Sequence, residues 1–164
     1  MRPEPDSAAG SRVSPEVCAA IGDLPLPVDW SRLRLYGCGC GGGAGLLRRV
    51  VLGLSRGRAI AVGNHVFLPA RCEGDLATLA HEATHCAQYQ AWGPWRYFSR
   101  GAAAQARDLA YRLLGVGRSP YAYTAAPGRP FDAYGMEQQA QIVEDALRGS
   151  AVARAITSAS ARES

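Results

Sequence analysis

The most informative segment of this chain is DLATLAHEATHCAQYQA, at residues 75–91. It begins with an aspartate, a preferred helix N-cap, and Gly93-Pro94 follow it, so we expect an α-helix over Leu76–Ala91. His81 and His85 are four residues apart and therefore leave one face of that helix, about one turn from each other. Apolar side chains occupy the opposite face, so the helix is predicted to pack on one side and to present its histidines on the other.

The pattern His81-Glu82-Ala83-Thr84-His85 is typical of a zinc-binding helix. Two imidazole nitrogens at this separation can share one Zn²⁺ ion. Glu82 projects about 100° around the helix from His81, so it would lie beside the metal and accept a proton from a metal-activated water. The sequence thus predicts His81 and His85 as metal ligands and Glu82 as the general base. A chance pair of histidines on an exposed helix is the alternative.

A catalytic zinc ion needs a third protein ligand. A third histidine six residues after His85 would extend the motif, but an alanine stands there, and the remaining histidine, His65, precedes the helix. A later helix, predicted over Ala133–Leu147, carries Glu137 and Glu144 on one face. Either carboxylate could complete the site, and the residue pattern does not choose between them.

Hydrolysis of a peptide bond also needs a donor for the oxyanion of the tetrahedral intermediate. Tyr123, Arg129 and Tyr134 lie in or near the loop before the glutamate helix, and we predict Tyr134, with Glu82, to be catalytic. An extended substrate is predicted to pair with the strand His65–Leu68 by β-addition. Three polar residues could support the ligand histidines from outside: Thr84, Gln88 and Asp132.

The composition is that of one globular domain. The chain has 164 residues, of which 48% are hydrophobic and 20% charged. All 18 basic residues are arginine, which excludes lysine Schiff-base chemistry and a P-loop lysine. The N-terminal ten residues have no apolar core and no apolar run is long enough to span a membrane. With five cysteines, an odd number, these features predict reduced thiols and a cytoplasmic location.

A glycine-rich stretch interrupts the first half of the chain. Residues 37–45 contain six glycines and are predicted to form a flexible loop. Gly37, Gly39 and Gly42 match a dinucleotide-binding fingerprint, but no acidic residue for the ribose follows before Glu73. Residues 30–72 instead hold seven arginines and no acid, which would suit an anion-binding surface.

The predicted elements amount to an α+β fold of zincin-like type, in which a small antiparallel sheet packs on the histidine helix and two or more further helices. Ser14-Pro15 start a short helix that ends near Gly22. Further elements are a strand within Val28–Tyr36, strands over Arg58–Val62 and His65–Leu68 joined by a Gly63-Asn64 turn, and a helix over Trp95–Leu114. Residues 1–13 are predicted to be a disordered leader, 14–148 the metallopeptidase-like domain, and 149–164 a flexible or weakly helical tail.

The order of these motifs resembles the zinc metallopeptidase core domain associated with extracellular contractile injection systems. Relatives have an Asp-aromatic pair before a strand, matched here by Asp29-Trp30, and then a strand pair with Gly-Asn, matched within residues 58–68. Residues 79–88 match the Leu-Ala-His-Glu-x-x-His-x-x-Gln segment, and residues 136–140 match its later Glu-x-x-Ala segment. The resemblance covers about residues 14–148; the glycine-rich loop and Cys86 depart from it.

The resemblance implies a Zn²⁺-dependent, gluzincin-like peptidase with His81, His85 and Glu137 as ligands, and so favours Glu137 over Glu144. It implies a peptide or protein substrate and an association with a secretion or injection apparatus, with export by a route that needs no signal peptide. We expect neither a nucleic-acid partner nor a membrane span. Two alternatives stay open: a zinc-binding docking or effector module without catalysis, and an arginine-rich module that binds anions.

Overall fold

The computed structural model describes residues 10–40, 42–115, 117, 119–126 and 129–160. Its architecture is α+β, as predicted. Short 3₁₀ helices lie at Trp30–Arg32, Ala70–Cys72 and Phe131–Ala133. The helices and strands are α1 (Pro15–Ile21), β1 (Arg34–Tyr36), α2 (Gly42–Leu54), β2 (Ile60–Val62), β3 (His65–Phe67), α3 (Leu76–Leu114), α4 (Met136–Leu147) and α5 (Ala151–Ser160).

The three strands form one mixed sheet in the order β1-β3-β2. The predicted hairpin is confirmed: β2 and β3 are antiparallel, and Gly63 takes the positive φ of 64° that their tight turn requires. The prediction of an all-antiparallel sheet is wrong, because β1 runs parallel to β3. Parallel neighbours need a long connection between them, and residues 37–64, which include α2 and β2, provide it.

Helix α2 begins inside the glycine-rich stretch, so the predicted loop over residues 37–45 is wrong from Gly42 onward. Glycine costs about 1 kcal/mol per position in a helix relative to alanine, which is why a run of glycines suggests a loop. Here Ala44 packs into a small cluster with Tyr36 and Phe67. That contact with the sheet holds the first turn of the helix in spite of its glycines.

Helix α3 contains both of the helices predicted over Leu76–Ala91 and Trp95–Leu114. Gly93 breaks it with φ 76° and ψ 167°, where the sequence places the boundary between them. Asp75 caps the N-terminus by accepting hydrogen bonds from the backbone N–H groups of the next turn. The two histidines lie in the half of α3 before Gly93. The kink at Gly93 separates this half from the second half of the helix.

Helix α4 crosses α3 and forms the other side of the core. It starts at Met136 rather than Ala133, because a 3₁₀ turn precedes it, so Glu137 lies in its first turn. Helix α5 lies in the stretch predicted as a flexible or weakly helical tail; it packs on α4 and buries Ala153 completely. Within the predicted leader, residues 1–9 lie outside the described residues, and Ser11 forms a β-bridge with Leu35.

No helix in the described part of the chain is both long and apolar enough to cross a bilayer.

The N-cap of α3 also joins α3 to α4. The Asp75 carboxylate accepts hydrogen bonds from the Thr78 hydroxyl (2.7 Å) and from the Arg148 guanidinium (2.7 Å). Partial burial of Asp75 acts to raise its pKa, but these hydrogen bonds outweigh it and lower the pKa from 3.8 to about 2. The ionised form is therefore the one that the fold stabilises.

Replacing Asp75 by Ala is expected to lower the free energy of unfolding by about 1–2 kcal/mol at neutral pH, the usual cost of a lost N-cap. Because the pKa is lower in the folded state, the stabilisation is present above about pH 4 and disappears as the pH falls towards 2. Urea denaturation of both proteins at several pH values measures this. Asp132→Ala, at an exposed position, is the control and should change stability by less than about 0.5 kcal/mol. An equal difference between Asp75→Ala and the parent at pH 7 and pH 2 would contradict the assignment.

Candidate metal centre

The structure brings together the three residues predicted as metal ligands. His81 and His85 come from the first half of α3, one turn apart, with ring centroids separated by 5.1 Å. Glu137 comes from the first turn of α4. One ligand atom from each residue lies within 4.8 Å of the others, and in the described part of the chain this is the one group of three such residues that could hold a metal ion.

His85 and Glu137 form a buried pair. Oε2 of Glu137 lies 3.5 Å from Nε2 of His85, and the two residues are only 8% and 7% exposed. Burial acts to lower the pKa of His85, but the hydrogen bond and charge of Glu137 outweigh it and raise that pKa to about 9. Burial also works against the charge of Glu137, yet His85 holds the pKa of this carboxyl below its ordinary value. Each group thus keeps the other charged in a place where an isolated charge would be costly.

Glu144 has a different position from Glu137. Its Oε2 lies 3.0 Å from Nδ1 of His81, outside the angles of a hydrogen bond. Its other oxygen, Oε1, accepts hydrogen bonds from Arg148, which also reaches Asp75 at the start of α3. A carboxylate at Nδ1 leaves Nε2 of His81 as the nitrogen for a metal. The geometry therefore makes Glu137 the candidate ligand and Glu144 an outer partner of His81.

Glu82 lies beside the cluster, as the motif predicts. It is 6% exposed and, like both histidines and Glu137, lines one cavity. Burial raises its pKa, and the neighbouring histidines only partly oppose this. A carboxylate with a raised pKa is a better proton acceptor than an exposed one and can return the proton more readily near neutral pH.

The cavity has a volume of about 720 Å³. The three candidate ligands and Glu82 line part of it, while β2 and the second half of α3 contribute apolar side chains such as Ile60 and Phe98. The predicted pairing of a peptide with the strand His65–Leu68 is wrong, because β3 is the central strand and has neighbours on both sides. The strand at the edge that borders the cavity is β2.

Tyr134, predicted as a catalytic residue, is not among the residues that line the cavity. It is 3% exposed in the core, where the Arg129 guanidinium lies 4.2 Å above its ring and Tyr123 packs against its edge. Its hydroxyl is buried and has no hydrogen-bond partner among the described residues. The loop before α4 packs by its aromatic side chains, and spacing along the sequence could not show which of them faces the site.

Tyr121, which the residue pattern did not single out, does line the cavity. Burial and the nearby charge of Glu137 raise its pKa, so its hydroxyl stays protonated and can donate a hydrogen bond. The Arg58 guanidinium lies against it and also lines the cavity. The only signal in the sequence was that the loop at residues 115–131 is rich in aromatic residues, and this signal does not single out Tyr121.

The three candidates for outer support of the histidines have separate positions. Gln88 contacts His85, with its Oε1 2.9 Å from Nδ1 of the ring. The Thr84 hydroxyl instead donates to the carbonyl of Ala80 in its own helix. Asp132 is exposed on a 3₁₀ turn.

No family model, curated protein or solved structure matches this chain.

The donor set is suited to a catalytic metal ion. Two imidazole nitrogens and one carboxylate oxygen, with a coordination position left open, are the ligands that a catalytic Zn²⁺ takes in proteins. All three candidate ligands also line the cavity. The residues therefore fit zinc, while a His/His/carboxylate set of this kind also accepts other divalent transition metals.

Metal content distinguishes the proposed roles of Glu137 and Glu144. Glu137→Ala should lose a ligand and retain well under one equivalent of metal after dialysis. Glu144→Ala should keep the metal, with affinity lowered by about 10–100-fold, since only an outer partner is removed. Elemental analysis with a chelator competition on both variants and the parent measures this. The assignment is wrong if Glu144→Ala loses the metal and Glu137→Ala keeps it.

Proposed function

We propose that this protein is a zinc-dependent peptidase that hydrolyses peptide bonds with Glu82 as general base. One observation carries the proposal: the three residues of the His81/His85/Glu137 cluster line the same cavity as Glu82. Metal ligands alone would suit a structural site as well, but structural zinc sites are closed by four protein ligands. Three candidate ligands, an adjacent buried carboxylate and an accessible cavity are what hydrolysis requires.

Each residue that lines the cavity near the candidate ligands has a separate role in the proposed hydrolysis. Zn²⁺, when bound, would polarise a water molecule and the scissile carbonyl. Glu82 accepts the proton of that water at a carboxylate oxygen and delivers it to the leaving amine. Tyr121 and Arg58 are the cavity donors suited to the carbonyl oxygen as it becomes negatively charged. The apolar walls of the cavity exclude water around the substrate and strengthen these interactions.

The substrate is proposed to be a peptide or an unfolded protein segment, because apolar side chains of β2 and α3, such as Ile60 and Phe98, line the cavity beside the candidate metal ligands. The resemblance in the sequence supports the same activity and adds a secretion or injection apparatus as a partner. All five cysteines are free, as a reducing compartment favours, and we propose synthesis and residence in the cytoplasm before any export.

An anion-binding module has less support. Three of the seven arginines in residues 30–72 direct guanidinium donors to backbone carbonyls: Arg34 to Leu33, Arg48 to Leu68 and Arg71 to Gly57. These arginines stabilise loops and strand ends within the fold. Fewer of their N–H donors are therefore available to an external anion than the number of arginines suggests.

Glu82→Gln tests the proposed activity. The amide is the same size as the carboxylate but cannot accept the proton, so the variant is expected to keep its zinc and to lose cleavage by about 10²–10⁴-fold. Mass-spectrometric detection of products from a peptide library, with zinc content determined on the same samples, measures both. Glu16→Gln, at an exposed site in α1, is the matched control and should cleave like the parent.

Two results would contradict the proposal. Equal cleavage by Glu82→Gln and the parent would remove Glu82 from the mechanism. A parent that binds one zinc ion but cleaves no member of the library would favour the docking module over the peptidase.

A further inference from the structure

Two glutamine side chains lie buried between His85 and the turn that leads into α4. Gln88 has no exposed surface and Gln139 is 3% exposed. A buried amide is costly unless its donors and acceptors are paired, so the hydrogen bonds of these two side chains constrain one another. The donor and acceptor of each hydrogen bond can be assigned by starting from backbone carbonyl oxygens, which only accept.

The backbone carbonyls of the turn are the starting point, since a carbonyl oxygen only accepts. Nε2 of Gln139 donates to the carbonyls of Phe131 (3.2 Å) and Tyr134 (3.1 Å). Its Oε1 therefore faces the other way and accepts from Nε2 of Gln88 at 2.9 Å. The same Nε2 of Gln88 donates to the carbonyl of Met136 at 3.0 Å. Both amides are thereby oriented, because reversing either would place oxygen against oxygen.

The last hydrogen bond in this series reaches the metal cluster. With its Nε2 directed to Met136 and Gln139, Gln88 presents Oε1 to Nδ1 of His85 at 2.9 Å. An amide oxygen can only accept, so Nδ1 must carry a hydrogen. Nε2 is then the nitrogen of His85 that faces Glu137, at 3.5 Å from Oε2.

We propose that Gln88 and Gln139 are positioning residues that hold Nδ1 of His85 protonated and so reserve Nε2 for the metal ion. The inference rests on the proposed metal site but assigns roles to residues outside the ligand set. The carbonyls that orient the two amides belong to residues 131–136, and Glu137 follows directly. One segment of chain therefore positions two of the three ligands.

An amide suits this position better than the carboxylate found at His81. Glu82, Glu137 and Glu144 already line the cavity, and a fourth carboxylate beside the buried ring of His85 would add repulsion. Gln88 supplies the acceptor that Nδ1 needs without a charge. It also donates two hydrogen bonds, which a carboxylate could not do.

The test compares Gln88→Leu with Gln90→Leu. Both remove a glutamine of α3 that makes long-range hydrogen bonds; those of Gln90 go to Asp29 and Asn64 and leave His85 untouched. Zinc affinity is measured by chelator competition. Long-range ¹⁵N–¹H correlation spectra of histidine-labelled protein show which nitrogen of His85 carries hydrogen and which binds zinc.

Gln88→Leu should bind zinc about 10–100-fold more weakly than the parent, as is usual for loss of an outer partner. In the zinc-free protein, the slowly exchanging Nδ1–H signal of His85 should be visible in the parent and in Gln90→Leu but absent from Gln88→Leu. Gln88→Met keeps the length of the side chain but removes the acceptor opposite Nδ1, so it should lose the signal and zinc affinity in the same way. It serves as the test if the leucine variant does not fold.

The proposal is overturned if Gln88→Leu keeps the parent's zinc affinity and His85 spectrum, or if Gln90→Leu loses as much affinity as Gln88→Leu. A parent that binds no zinc but shows the protected Nδ1–H signal, lost in Gln88→Leu, would refute the metal site and retain the positioning role.

Discussion

The buried pair between His85 and Glu137 is the contact that holds the candidate site together. It joins the first half of α3 to the first turn of α4, and it places two groups of opposite charge where neither could be buried alone. Apolar residues of the same two helices, such as Ala83 and Ile142, pack behind it. The hydrophobic core thus fixes the crossing of the helices, and that crossing brings the third candidate ligand to the two histidines.

Helix α4 contributes side chains to the candidate site along most of its length. Its first turn carries Glu137, its second carries Gln139 towards Gln88, and Glu144 lies later against His81, where Arg148 holds it. Nδ1 of His85 thus faces an amide oxygen, and Nδ1 of His81 lies 3.0 Å from a carboxylate oxygen. Outer partners of this kind orient the ligands of metal sites, so Gln88 and Glu144 are the candidates for that role here.

Local patterns predicted those parts of the molecule that depend on local physics. The N-cap at Asp75, the break at Gly93 and the turn at Gly63 all follow from the backbone preferences of single residues. The parallel pairing of β1 with β3 and the helix at Gly42 depend on contacts between distant segments, which no local signal carries. Glu137 and Glu144 lie on one face of α4 and differ only in how α4 crosses α3. Tyr121 and Tyr134 could not be told apart because loop residues follow no period.

The proposed site requires His81, His85 and Glu137 to bind one metal ion in this cavity. X-ray diffraction above and below the zinc absorption edge, on crystals of protein purified without chelators and supplied with zinc, measures this most directly. One anomalous peak is predicted about 2.0–2.2 Å from a nitrogen of each histidine and from a carboxylate oxygen of Glu137. A cluster without a peak, or a peak ligated by Glu144 in place of Glu137, would contradict it.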